Sequence, residues 1–427
     1  MPLTVLIAPS GFKECLDADA VCENIATGVR RAAPDARVIK APLVDGGEGF
    51  TRALVAATGG ELRDVVVTGP VGDPVESHFG LLGGDGPRTA VLEMAAAAGL
   101  ALVPRDLRDP AATTTRGVGE LIGHALDAGA KRILLGCGDS GTNDGGAGMA
   151  QALGFRLLDA GGEELEPGGA ALARLATIDA AGRDKRLEEV QIDVACNAHN
   201  VLCGEHGVAR VFGPQKGASP EAVEQLAGAL DIYAEVLRDH CGREIGALPG
   251  SGASGGLGAG LDALLGATLH PRYEIVMQYL ELDEHLAVAD LVLTAEGSID
   301  FQTPRGKIPA EVGRRAAARG VPVIALAGTI GDRPQDNYDA GITAFDSILQ
   351  APCGLDHAIE HAPELLRHCA EKVLRMVLIG RDLPPTVPTA RSRPAPARRS
   401  TRDRCSRPRG SSCAKPGAAR PVASHNA

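Results

Sequence analysis

Four short apolar runs constrain the fold most: TVLIAPS (4–10), ARVIKAPL (36–43), DLVLTAEG (290–297) and VPVIALAG (321–328). Each is brief, mostly aliphatic and closed by a Pro-, Gly- or charge-marked loop, the pattern of a strand buried on both faces. ITAFDSIL (342–349) reads as a further strand. Helical patterns occupy 18–33, stopping near Pro34, and then 304–319 and 356–379. Strand and helix alternating at both chain ends predict a parallel, doubly wound α/β sheet. In such sheets the loops leaving the carboxyl ends of the strands form the binding crevice. That places Lys13 and the segment DGGEGF (45–50), with Asp45 and Glu48, in a crevice.

Between the two ends the rhythm changes. Residues 62–68, 75–82 and 88–94 alternate like antiparallel strands, with Gly-rich turns between them. A helix over 116–129 is opened by TTTRGVGE, whose Thr residues suit an N-cap and whose Arg116 sits where an anion could bind. The apolar Ile133-Leu134-Leu135 then feeds the loop GCGDSGTNDGG (136–146) and a helix, AGMAQALGF. The polar stretch 156–190 reads as surface elaboration. QIDVACN (191–197) is a strand, followed by FGPQKGAS (212–219) and a helix over 220–240. The expected organisation is two α/β domains. A doubly wound, Rossmann- or flavodoxin-like domain takes 1–61 and 286–381, and a second α/β domain, 62–285, is inserted in it.

Composition narrows the function. With no Trp and 3% aromatic residues, base-stacking platforms are excluded as the main chemistry. The net charge is −11, although the stretch from Pro384 holds nine Arg and one Lys against a single acid, Asp403. The body is therefore strongly acidic, which argues against nucleic-acid binding, and the Pro/Arg-rich 384–427 reads as a disordered tail. The start MPLTVLIAPS lacks the basic region and length of a signal peptide, and no run suits a membrane span. The ten Cys are scattered without a CxxC, so reduced thiols and a cytoplasmic setting are expected.

Three Gly-rich loops carry the chemistry: 136–146, GSGASGGLGAG (250–260) and AEGSIDFQTPRGK (295–307). Gly lets backbone N–H groups approach an anion, and a helix start adds its positive dipole. No GxxxxGK[ST] occurs, and no GxGxxG follows the first strand. Lys13, Lys216 and Lys307 lie in marked loops, as do Asp45, Glu48, Asp144, Glu296 and Asp300. Cations beside carboxylates in such loops fit phosphoryl transfer. That reaction needs a Mg²⁺ held by carboxylates and phosphate, positive groups on the phosphoryl, and a carboxylate for the nucleophile's proton.

The segments VLIAPSGFKECL, PLVDGGEGF, EMAAAAGL, TTTRGVGELI, GCGDSGTNDGGAGMAQALG, VFGPQKGAS, GASGGLGAGLDALLGA, LVLTAEGSIDFQTPRGK and VPVIALAG occur in that order. In them the chain resembles the type I glycerate kinases over nearly all of 3–381. The resemblance implies ATP- and Mg²⁺-dependent phosphorylation of D-glycerate to 2-phosphoglycerate or 3-phosphoglycerate. It implies catalytic roles for Lys13, Asp45, Asp144, Glu296, Asp300 and Lys307. Asp45 and Asp300 would bind Mg²⁺ or act as the general base. Ser140, Thr142, Asn143 and Asp144 would face nucleotide phosphate, Mg²⁺ or glycerate. Arg116 or Lys216 would hold the glycerate carboxylate. Glu48, Asn200, Gln215, Gly255 and Gly256 complete the expected binding set. Asp144→Asn is then expected to cost turnover more than stability. Two other functions compete: a kinase of another small hydroxy acid, and a catalytically weak sensor of glycerate or nucleotide.

Four departures from the family pattern favour those competitors. Ser10-Gly11 stands where Asp-Ser is usual, and Asp139 and Gly141 flank Ser140 in place of Gly and Ala. Cys196-Asn197-Ala198-His199-Asn200-Val201-Leu202 replaces Cys-Asp-Val-x-Asn-Pro-Leu. Ala295-Glu296-Gly297-Ser298 replaces Gly-Glu-Gly-Arg, losing an Arg that no Ser can imitate as an anion clamp.

Overall fold

The computed structural model describes residues 2–12 and 15–382; the expected tail, 384–427, and Lys13 lie outside them. In chain order the strands are β1 (Thr4–Ile7), β2 (Arg37–Lys40), β3 (Glu61–Thr68), β4 (Pro74–Leu81), β5 (Thr89–Glu93) and β6 (Arg132–Gly136). They continue as β7 (Arg156–Asp159), β8 (Leu175–Asp179), β9 (Gln191–Cys196), β10 (Thr268–Pro271), β11 (Leu291–Ile299), β12 (Val323–Ile330) and β13 (Ala344–Ser347).

The first sheet has the order β13-β12-β11-β1-β2, and all its pairings are parallel. Read from the other edge, its strands come from the two chain ends in a doubly wound order, which reverses between β1 and β11. That reversal is where such sheets bind ligands. Helices cover both faces. Ala18–Ala32 and Leu355–Asp382 bury Val21, Ile25, Val29, Leu366 and Val373 on one side. On the other, Ile308–Ala317 buries Ile308, Val312 and Ala316. The helix Ala18–Ala32 begins at Asp17, whose carboxylate accepts from the Ala20 N–H at 2.7 Å.

The second sheet has the order β10-β9-β6-β5-β4-β3. Its β5, β6, β9 and β10 are parallel, while β3, β4 and β5 pair antiparallel, as the alternation at 61–94 predicts. The stretch 156–190 is more than surface. It forms the hairpin β7–β8 and sends Leu157, Leu165, Leu172, Leu175, Ile178 and Leu187 into the main core. These apolar residues are too widely spaced to show a strand or helix period.

Residues through Arg381 form one compact unit. One core cluster explains why: Leu6 and Val292 of the first sheet pack with Val91, Leu134 and Ala195 of the second. The carboxyl ends of the parallel strands of both sheets meet as a result.

Candidate active site

At this meeting two Gly-rich loops cross. The loop after β2, 45–49, lies on the loop after β6 so closely that a Cβ on Gly138 would stand 2.7 Å from Gly47 Cα, and one on Gly47 2.1 Å from an Asp139 oxygen. At Gly138 the clash would be with backbone, so only Gly allows the approach there; at Gly47 it would be with the movable Asp139 carboxylate. Asp139 Oδ2 accepts from the Glu48 N–H at 3.2 Å, so the charge added at this departure holds the crossing. Glu93, at the end of β5 and 3% exposed, anchors the same loop. Its oxygens accept from the N–H groups of Gly49 at 3.2 Å and Thr51 at 2.7 Å, at the start of the helix Phe50–Thr58. Burial pushes the Glu93 carboxyl above its usual range, against these donors.

Around the crossing lies a charged cluster. Asp45 accepts from Gly47 N–H at 3.3 Å through Oδ1 and from Arg272 Nη1 at 2.8 Å through Oδ2. Asp300 accepts from Gln302 N–H at 2.8 Å and from Ser298 Oγ at 3.1 Å. Lys307 Nζ donates to the Ser298 carbonyl at 3.2 Å and lies 3.6 Å from Glu296 Oε1 and 3.9 Å from Asp300 Oδ1. Glu296 differs from the other two carboxylates, because its Oε2 is buried and accepts no hydrogen bond. Burial raises the Glu296 pKa to about 7; Lys307 pulls it down and the Asp45 charge pushes it up. Ser10, at the end of β1, donates from N–H and Oγ to the Ala295 carbonyl at 2.9 and 3.0 Å, closing the reversal beside Glu296. Asp45 is thus brought to Glu296, Asp300 and Lys307, which share the segment 296–307.

A second group is buried behind it. Lys216, 2% exposed, donates to Ser140 Oγ at 2.8 Å, the Thr142 carbonyl at 2.7 Å and Asn143 Oδ1 at 3.1 Å. Three acceptors match the three donors of an ammonium. Burial nonetheless pulls its pKa down to about 7, with the Asp144 charge opposing. Asp144 is fully buried and accepts from Thr115 N–H (2.8 Å), Thr115 Oγ1 (2.9 Å), and the N–H groups of Gly146 and Gly148 (both 3.2 Å). Burial raises its pKa, and those donors resist. Gly255 seats the 250–260 loop on this group: it has φ +71°, and a Cβ there would stand 1.8 Å from the Thr142 carbonyl. Gly256, also left-handed at φ +91°, follows it. Thr142 Oγ1 and Asn143 Nδ2 are buried without a partner. The Asn200 carbonyl accepts from the Gly250 and Gly252 N–H groups at 3.0 and 3.1 Å, tying the loop after β9 to the same bracket.

These contacts tie the loops together through Lys216 and Asp144, so Asp144→Asn is expected to cost stability as well as turnover. The amide would turn an NH₂ toward N–H donors, and the variant should lose about 3 kcal/mol, as for a buried charged hydrogen-bond group. Thermal denaturation should show a melting point lower by roughly 4 °C, and an unchanged melting point would contradict the structural role.

Some expected residues stand apart. The Arg116 side chain is 48% exposed and pairs at 3.3 Å with Glu120, which accepts from Thr68. Gln215 is exposed, and Glu48 is exposed within the crossing loop, where its N–H donates to Asp139. Conversely, Arg272 and Glu93 were not among the candidates. Glu93 had a signal, a lone carboxylate closing the apolar TAVLE. Arg272 had none, because β10 spans only TLHP.

The sequence matches the Glycerate kinase family profile over residues 5–378. It is 46% identical to a glycerate kinase of Bacillus subtilis (strain 168) over 381 residues, covering 89% of this chain and 99% of that one. It is 44% identical to a glycerate 2-kinase of Escherichia coli (strain K12), covering 88% and 99%. The crystal structure of "putative glycerate kinase 2" from Salmonella typhimurium LT2 superposes with a TM-score of 0.74 at 45% identity, over 90% of this chain and all of that one. The converging loops and these likenesses agree: the chain belongs to the glycerate kinase family and is a kinase.

Proposed function

We propose that the chain transfers the γ-phosphoryl group of Mg-ATP to the 2-hydroxyl of D-glycerate, giving 2-phosphoglycerate and ADP. The observation that carries the reading is the buried, unpartnered Oε2 of Glu296 beside Lys307, at the reversal of the first sheet. Each oxygen of Asp45 and Asp300 already accepts a hydrogen bond, whereas Oε2 of Glu296 accepts none and can take one from the acceptor hydroxyl. Glu296 takes the hydroxyl proton as that oxygen bonds to the γ-phosphorus. The bond to the β,γ-bridging oxygen breaks, and ADP leaves with its electrons. Lys307 stabilises the charge on the transferring group. Lys13, which follows β1 in sequence and lies outside the described residues, is proposed as a further cation.

The donor set suits Mg²⁺. Asp45 and Asp300 accept single hydrogen bonds at each oxygen, which leaves lone pairs for a cation. No group of three or more metal-binding side chains occurs among the described residues, so nucleotide phosphates and water would supply the other ligands, as is usual for Mg²⁺. When bound, the ion would neutralise phosphate charge. The 2-hydroxyl assignment draws on the Escherichia coli relative, named a glycerate 2-kinase.

The test is D-glycerate-dependent ADP release, with the product offered directly to enolase. Direct consumption is expected. A product that enolase takes only after a phosphoglycerate mutase is added would assign the 3-hydroxyl, and ADP release indifferent to D-glycerate would reject the substrate.

A further inference from the structure

Arg272 joins three parts of the chain. It stands just past β10 in the second sheet, and its side chain is 17% exposed. Nη1 donates to Asp45 Oδ2 at 2.8 Å, in the loop after β2 of the first sheet. Nη2 donates to the carbonyl of Gly306, the residue before Lys307. The guanidinium lies over the Tyr273 ring, 4.8 Å from its centroid, and the Tyr273 hydroxyl donates to that same Gly306 carbonyl at 2.8 Å. One planar fork thus holds a carboxylate and a lysine-bearing turn at a fixed separation.

We infer that Arg272 is a positioning residue for phosphoryl transfer: it fixes Asp45 and the Lys307 turn against each other so that Glu296 faces both in one arrangement. The inference rests on the charged cluster being the reaction site. Its physical basis is the charge balance. Among the described residues Asp45, Glu296 and Asp300 outnumber Lys307, and without Arg272 the Asp45 and Glu296 carboxylates would repel with less to hold them in place. A guanidinium is charged at every working pH and presents several donors in a rigid plane. A lysine at this position keeps the charge and loses the fork. The site therefore has its guanidinium from the second sheet, while Ser298 on β11 carries only a hydroxyl, spent on Asp300.

The test compares Arg272→Lys, Arg272→Ala and Arg272→Met with the unaltered enzyme. Measured quantities are kcat, the KM values for ATP and D-glycerate, melting temperature, and rescue by guanidinium chloride at tens of millimolar. Misplacement of reacting groups by about 1 Å typically costs on the order of 10²-fold, so kcat should fall about that much in all three, with both KM values held within about threefold. Guanidinium should restore Arg272→Ala at least tenfold and leave Arg272→Lys unaffected. Arg272→Met keeps an apolar stem over Tyr273 and stands in for Arg272→Ala should the latter unfold. Wild-type kcat in Arg272→Lys would overturn the inference, as would a folded Arg272→Ala or Arg272→Met that guanidinium does not revive. Rescue in Arg272→Ala alongside undiminished turnover in Glu296→Gln would keep the positioning role and reject Glu296 as the base.

Discussion

Glu296→Gln is expected to lower kcat by roughly 10²–10⁴-fold, the usual contribution of a positioned general base, with the fold intact. The amide fills the same volume but cannot take a proton from the acceptor hydroxyl. Because burial holds the Glu296 pKa of the free enzyme at about 7, wild-type kcat/KM for D-glycerate should rise tenfold per pH unit below about pH 7 and level off above it. Stability carries the opposite signature. The folded state keeps a proton on Glu296 up to about pH 7, while the unfolded chain releases it near the ordinary carboxylate pKa. Between those values the folded form binds more protons, so this group makes stability fall as pH rises. Glu296→Gln should therefore melt at a higher temperature than wild type at pH 8, and the difference should vanish toward pH 4. A variant with wild-type turnover, or one less stable at pH 8, would remove Glu296 from the role of proton acceptor.

Lys307→Met should be nearly as damaging, about 10²–10³-fold in kcat, by analogy with other preorganised electrostatic groups. It should also move the acid limb of the pH profile upward. Lys307 is the largest influence lowering the Glu296 pKa, so its loss leaves the carboxyl harder to ionise. The paired outcome separates this role from simple phosphate binding. A lysine that only held nucleotide would raise the KM for ATP and leave the limb where it is.

The sequence displayed the α/β class and most of the strand ends because buried parallel strands are short, aliphatic and punctuated. TVLIAPS, DLVLTAEG and VPVIALAG mark the positions of β1, β11 and β12; Ser10 and Asp300 follow the first two of these strands, and Glu296 lies within β11 itself, where the sequence suggests a loop. What it could not display was which polar side chains are sealed from water. Lys216 and Asp144 have the residue types of substrate-binding groups, but their burial depends on the distant 250–260 loop closing over 142–146. Arg272 was invisible for another reason: a four-residue edge strand containing His and Pro has no apolar period. Its role depends on pairing with Asp45, 227 positions away.

The pairing of Val5 with Leu291 and of Ile7 with Leu293 also bears on how the chain comes to be folded during synthesis. In its sheet β1 lies between β2 and β11, and β11 leaves the ribosome more than 280 residues after β1. At roughly 5–20 residues per second this leaves β1 and β2 an interval of tens of seconds. For that time they form at most a two-stranded ribbon with an open apolar edge, which is marginal in water. Such a segment is open to capture by chaperones or by other nascent chains. The second sheet, whose strands all fall within 61–271, can assemble meanwhile and offer a surface for it to rest on.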